Sequence, residues 1–316
     1  MLGEGAGAAQ HTLKTAISCR GVGLHSGRKV KMALEPAPPD SGIVFRRCDA
    51  GAEIVANWAN TIASPLSTVL SNGEGITIGT VEHLMAAFAG AGIDNAIVEL
   101  DGPEVPIVDG SAAPFLFLIE CAGILPQDRA RRAIKVLKPV RVAAEDAVVE
   151  LVPDHGFAMS FAIDFDNPLI RRQDLCVAFE TETFKTELSR ARTFGLLDEV
   201  VRLRAAGLLR GGSLDNAIVV SGEEVLNRGG LRYADEFVRH KLLDAYGDLY
   251  LAGGPIVGHF HGVRSGHAHT RRLLAALFAD PEAWCATIIA DPAAPFDGFA
   301  PAGGCGFAAR GVQPVL

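Results

Sequence analysis

No Cys-x-x-Cys pair occurs in this chain, and its six cysteines (Cys19, Cys48, Cys121, Cys176, Cys285 and Cys305) stand far apart. That spacing offers neither a disulfide framework nor a thiolate zinc site, and it favours a reducing compartment. Basic residues interleaved with aromatics are also missing, and 29 basic against 37 acidic residues leave a formal net charge of -8. Nucleic acid is therefore not an expected partner. No uninterrupted apolar run is long enough to cross a bilayer; the nearest, Ala112 to Leu125, is broken by Pro114 and Glu120. The opening residues, Met1-Leu2-Gly3-Glu4-Gly5-Ala6, lack the basic start and apolar core of a signal peptide. There is no Walker-type Gly-Lys-Ser/Thr loop and no serine nucleophile elbow, and the glycines of Gly3-Glu4-Gly5-Ala6-Gly7 follow no strand. The expectation is a soluble cytoplasmic protein without a stable membrane anchor. What is present, 49% hydrophobic and 21% charged residues in 316, suffices for one or two sizeable cores.

Strand-like and helix-like segments come in clusters, not as strict βαβ units. This predicts an α+β fold of two domains, residues 1–130 and 131–316, divided at the polar stretch from Pro126 to Arg132. Residues 1 to about 10 read as a frayed end. Strand patterns follow from Thr12 to Arg47, from Asp94 to Leu100, from Ala133 to Val142, from Val148 to Pro153, from Phe157 to Phe165 and from Ile256 to Val263. Helices are expected from Thr80 (as N-cap), from Ala113 to Ala122, near Leu196 to Ala206, from Asp235 to Leu251 and from Gly266 to Phe278. The Gly/Ala/Pro-rich end from about Pro295 reads as an extended tail.

Chemistry concentrates in three fragments. In the helix from Asp235, Val238, Leu242, Ala245 and Leu249 share an apolar stripe, while His240, Asp244 and Asp248 fall together on the other side. A histidine and a carboxylate one turn apart can grip one metal ion, although a single such pair is more often a solvated polar face. The second fragment, Thr80-Val81-Glu82-His83-Leu84, adds a histidine with an adjacent carboxylate able to take a proton from water. Together they would supply His83, His240 and Asp244 as three ligands with an open fourth position, the stoichiometry of a catalytic zinc site. The third fragment, Gly258 to His269, holds four histidines. His259, His261 and His269 read as surface residues. His267 opens a helix whose Leu273, Leu274 and Leu277 turn inward, and it needs a carboxylate such as Asp248 to stay charged against the helix dipole.

These fragments resemble a known family. Gly21-Val-Gly-Leu-His25-Ser-Gly, Thr80-Val-Glu-His-Leu84, Val108-Asp-Gly-Ser-Ala112, Ser189-Arg-Ala-Arg-Thr-Phe-Gly195, Phe237-Val-Arg-His-Lys-Leu-Leu-Asp244 and Ser265-Gly-His-Ala268 are similar, in order, to motifs of the UDP-3-O-acyl-N-acetylglucosamine deacetylases. The resemblance runs from about Thr12 to Trp284. It implies two similar α+β domains, each a layer of helices on a sheet, with the active site between them. It further implies zinc, or iron(II), on His83, His240 and Asp244, with Glu82 as general base and His267 as general acid. Asp248 would orient that histidine, and Thr193 would donate to the developing oxyanion. Lys241, Phe194, Phe161, Arg264, Leu66 and Ser67 align with positions that meet the substrate, and Leu196 to Gly212 aligns with a hydrophobic passage for an acyl chain. His25 matches a family histidine to which the residues themselves assign no role. The implied reaction is hydrolysis of the acetamide of UDP-3-O-(3-hydroxyacyl)-N-acetylglucosamine, the committed step of lipid A synthesis; nothing in the residues demands more than a monomer. Two other readings of the residues remain: a zinc amidase for a different N-acyl sugar or peptide, and a protein that binds zinc or nucleotide sugars without turnover.

Overall fold

The computed structural model describes residues 8–180 and 182–289. The first half is built on a five-stranded sheet in the order Ile17–Val22, Lys29–Pro36, Ala96–Leu100, Ile43–Arg47, Ala52–Val55. Alternation dictates its sidedness: in Lys29–Pro36, Val30, Met32 and Leu34 are buried while Lys29 and Lys31 are exposed. Helices α1 (Glu82–Ala91) and α2 (Ala113–Ala122) belong to this half and pack on each other. A three-stranded ribbon (Thr61–Ile62, Val69–Ser71, Thr77–Gly79) leads directly into α1.

The second half is built on a seven-stranded sheet centred on Ile256–Val263. That strand pairs with Ala147–Val152 on one side; on the other it pairs first with Arg132–Val136, then with Phe157–Asp164. A small sheet (Phe194–Leu196, Ile218–Ser221, Glu224–Val225) carries α3 (Leu197–Ala205) beside it. Helices α4 (Glu236–Tyr250) and α5 (His267–Ala279) cover the large sheet. In α5, Leu273, Leu274 and Leu277 do turn inward. The helices of the two halves meet, α1 crossing α4, so the α+β architecture is two sheets with helices between them.

That crossing explains a departure from the amphipathic pattern. Every residue from Glu82 to Phe88 is buried, and α4 buries its polar stripe as well as its apolar one. Gly247 makes the approach possible, because a Cβ there would overlap the carbonyl oxygen of Glu82 and crowd the Ala86 amide.

Other expectations are corrected locally. Thr80 does not cap α1. It has φ 58, unusual for a β-branched residue, and its hydroxyl donates to Glu104 Oε1 at 2.9 Å. The polar stretch after Pro126 is not an open linker: Ile124–Ala130 is a strand paired with Ala9–Leu13, which also draws Ala9 and Gln10 out of the supposed frayed end. Its polarity reflects exposure of this strand along most of its length, with Gln127 accepting from Asn95 at 2.7 Å. The strand expected over Ala133–Val142 is two strands, Arg132–Val136 and Val140–Ala144, separated around Pro139. The tail from Pro295 lies outside the described residues.

Candidate active site

The first turn of α1 and the middle of α4 bring His83, His240 and Asp244 together, all buried, with one donor atom of each within 4.8 Å of the others. Both imidazole Nε2 atoms stand 3.3 Å from Asp244 Oδ1. Two donors on a tetrahedral ion at about 2.0 Å each are about 3.3 Å apart, so the spacing is that of ligands around a small cation. Asp244 Oδ1 has no hydrogen-bond partner among the described residues, a costly state for a buried carboxylate unless an ion completes it. His240 Nδ1 lies 3.0 Å from the Ala191 carbonyl oxygen and donates to it, which directs the Nε2 lone pair at the cluster. Burial pushes His240 down to about 4, so the ring is neutral and able to ligate at neutral pH. Burial opposes the Asp244 anion, but His240 and Lys241, whose ammonium donates to Oδ2 at 3.1 Å, override it and hold the carboxyl well below its usual range. Donor set, spacing and protonation all fit a divalent metal ion.

Around this triad stand two proton carriers. Glu82, next to His83, is pushed up to about 7 by burial, with His267 and His83 opposing. His267 begins α5. Burial works against its charge, and Asp248 and Glu82 outweigh that effect to raise it to about 9. Its Nδ1 is 2.8 Å from Asp248 Oδ2, while Nε2 faces Glu82 Oε1 at 3.8 Å and Asp244 Oδ2 at 3.9 Å. A base with a pKa near neutrality and a protonated acid thus flank one small space.

That space opens into a cavity of about 340 Å³ whose walls include Glu82, His83, Thr193, Phe194, Lys241 and His267. Thr193 is aimed there by its backbone: its amide donates to Gly110 at 2.8 Å, its carbonyl accepts from Ile218 at 2.8 Å, and its hydroxyl makes no hydrogen bond among the described residues. Leu66 also lines the cavity, whereas Ser67 is buried beside it on the Trp58 side. His25 lines it too, with both ring nitrogens buried and unpartnered among the described residues. A second, mainly apolar cavity of about 280 Å³ shares Leu24, Thr193, Phe194 and Gly195 with the first and continues between Val200, Leu209, Ile218 and Leu226.

Two expected substrate residues are not brought to this space. Phe161 is 1% exposed and packs in the core against Phe260, because the Ser160 to Ile163 stretch of its strand is buried on both faces. Phe165, just past the end of that strand, lines the cavity instead and meets Phe194 edge-on at 5.6 Å. Arg264 is held outside by ion pairs to Asp146 and Asp164. His259 and His261 are half-buried and stacked on the sheet face, His259 Nε2 lying 2.8 Å from Ser160 Oγ; His269 accepts from the Gly266 amide.

Three supporting residues escaped the sequence reading. Glu236 is fully buried at the start of α4 and accepts from Arg192 Nε at 2.9 Å and from its amide at 3.0 Å, locking the segment that carries Ala191 and Thr193 onto α4. Glu104 accepts from the amides of His25 and Ser26, each at 2.8 Å, and from Thr80. Thr68 touches Glu82, Asp248 and His267. An acidic residue in the first turn of a helix was the one available signal, for Glu236; the others are joined only by folding.

A family model described as LpxC, UDP-3-O-acyl N-acetylglycosamine deacetylase, matches residues 10–279. A protein of Acidithiobacillus ferrooxidans named UDP-3-O-acyl-N-acetylglucosamine deacetylase is 53% identical over 291 residues, covering 91% of this chain and 95% of the relative. Proteins of the same name from Chromobacterium violaceum and Saccharophagus degradans are each 50% identical, covering 90% and 87% of this chain and 94% and 92% of their own. With the family model spanning residues 10–279 and relatives matched over nearly their whole length, the chain belongs to the LpxC family of UDP-3-O-acyl N-acetylglycosamine deacetylases.

Proposed function

We propose that this protein hydrolyses the acetamide of UDP-3-O-(3-hydroxyacyl)-N-acetylglucosamine to acetate and the 2-amino sugar, the committed step of lipid A biosynthesis. The observation that carries this reading is the convergence of a buried His83, His240, Asp244 cluster with a near-neutral Glu82 and a charged His267 3.8 Å apart at one cavity. A divalent ion held by the three ligands, zinc in our reading although iron(II) suits the same donors, would supply the Lewis acidity that makes water nucleophilic at neutral pH. Glu82 accepts the proton of the attacking water. The Thr193 hydroxyl donates to the oxyanion that forms on the acetamide oxygen, a donor whose removal typically costs about 100-fold in rate. His267, kept charged by Asp248, protonates the departing amine, which is too basic to leave as an anion. Lys241 and Phe194, with Leu66 at the rim, position the sugar. The apolar cavity running from Phe194 towards Leu226 suits the 3-O-acyl chain, which favours this substrate over other N-acyl sugars. We place the reaction in the cytoplasm, carried out by a monomer. Among the described residues no helix is long and apolar enough to cross a membrane.

The test is release of free amine from the acylated nucleotide sugar by native, chelated and zinc-restored protein and by Glu82→Ala and His240→Ala. Activity should vanish on chelation, return with zinc and fall at least about 100-fold in both variants. Equal turnover of UDP-N-acetylglucosamine lacking the acyl chain would remove the substrate assignment, and activity indifferent to chelation would remove the metal.

A further inference from the structure

Thr68 lies between the two proton carriers and is bonded to both by different atoms. It is buried, just ahead of the strand Val69–Ser71. Its amide donates to Glu82 Oε2 at 3.0 Å, and its carbonyl accepts from the Val81 amide at 3.4 Å. Its hydroxyl donates to Asp248 Oδ1 at 2.5 Å and stands 3.2 Å from His267 Nδ1. Asp248 therefore has one oxygen held by Thr68 and the other by His267, a pairing that fixes the rotation of its carboxylate and, through it, the plane of the imidazole. Glu82 has Oε2 held by the Thr68 amide, which leaves Oε1 as the oxygen facing His267 Nε2.

We propose that Thr68 is the positioning residue that sets general base and general acid relative to each other, its backbone holding Glu82 and its hydroxyl holding the Asp248–His267 pair. The inference rests on the roles proposed above for Glu82 and His267 and adds a residue to them. It separates the two contacts: a change confined to the side chain leaves the amide bond to Glu82 and releases only the acid.

Thr68→Val keeps the shape and removes the hydroxyl. Its kcat should fall about 10- to 100-fold, the usual effect of losing an orienting hydrogen bond behind an active-site group, with KM and bound metal unchanged. Thr68→Ser should recover kcat to within about threefold, since the hydroxyl alone is required. In a His267→Gln background, Thr68→Val should cost little further, because both changes disable the same proton donor. If Thr68→Val does not fold, Thr68→Ala carries the same expectations. A wild-type kcat in the hydroxyl-free variants, a loss that Thr68→Ser does not restore, a loss confined to KM or metal content, or a full additional loss in the His267→Gln background would each overturn the proposal. If His267→Gln and Glu82→Ala were themselves fully active, the underlying roles would be at fault, and that result is distinct from the others.

Discussion

Glu82 and His267 are two titratable groups whose surroundings push them in directions useful for catalysis. As the proposed base, Glu82 works only without its proton, so the rate should fall as pH drops through its value of about 7. As the proposed acid, His267 works only with its proton, so the rate should fall again as pH rises through its value of about 9. A bound divalent cation favours the carboxylate and disfavours the imidazolium, so it moves both limbs to lower pH without changing their order. We expect kcat/KM measured from about pH 5 to 10 to be bell-shaped, and His267→Ala to be slow with the alkaline limb gone. An alkaline limb persisting in that variant would exclude His267 as the acid. At this scale the sequence was informative where chemistry is local. His240 and Asp244 are one helical turn apart, and Glu82 adjoins His83, so local spacing made them candidates, while the pairing of the two fragments rested on the resemblance. Phe161 was named from the resemblance alone; in the fold it is buried, and Phe165, past the end of the same strand, is the ring that lines the cavity.

Among the elements, the crossing of α1 and α4 matters most, since each contributes residues to the His83, His240 and Asp244 cluster and neither holds the set alone. At Gly247 the two backbones approach so closely that any side chain would displace the Glu82 backbone. Gly247→Ala, a favourable change in an exposed helix, is expected to destabilise the protein by about 1–3 kcal/mol by overpacking and to lower kcat by shifting Glu82 and His83 away from α4. Thermal unfolding and amine release measured on the same variant check both parts; unchanged stability would mean that the helices separate freely. The period of α4 was legible and its surroundings were not. A stripe of histidine and aspartate reads as a solvated face until another helix covers it, and the sequence of α4 contains nothing about α1. The polar strand Ile124–Ala130 hid in the opposite sense, because a strand exposed along most of its length has the polar composition of a boundary segment.

In the whole molecule, the His83, His240 and Asp244 cluster joins the two halves of the chain, so an ion bound there, as proposed, would stabilise the folded state as well as activate water. An ion that binds only the native state contributes about 2.7 kcal/mol at 100 times its dissociation constant. Chelation should therefore lower the unfolding temperature, one equivalent of zinc should restore it, and Asp244→Ala should abolish the response. A melting curve unmoved by chelator would separate the triad from metal binding. The sequence by itself determined the α+β class, the helices and strands whose apolar periodicity is unambiguous, and the residue types able to hold a metal and move a proton, because these depend on spacing along a few turns of chain. The three-dimensional packing alone brings His83 within 3.3 Å of Asp244, puts Thr68 in hydrogen bonds to both Glu82 and Asp248, and sets Glu236 and Glu104 to brace the loops around them. Those contacts span up to 180 positions in the chain, and no local pattern encodes a hydrogen bond whose two ends meet only after both cores have packed.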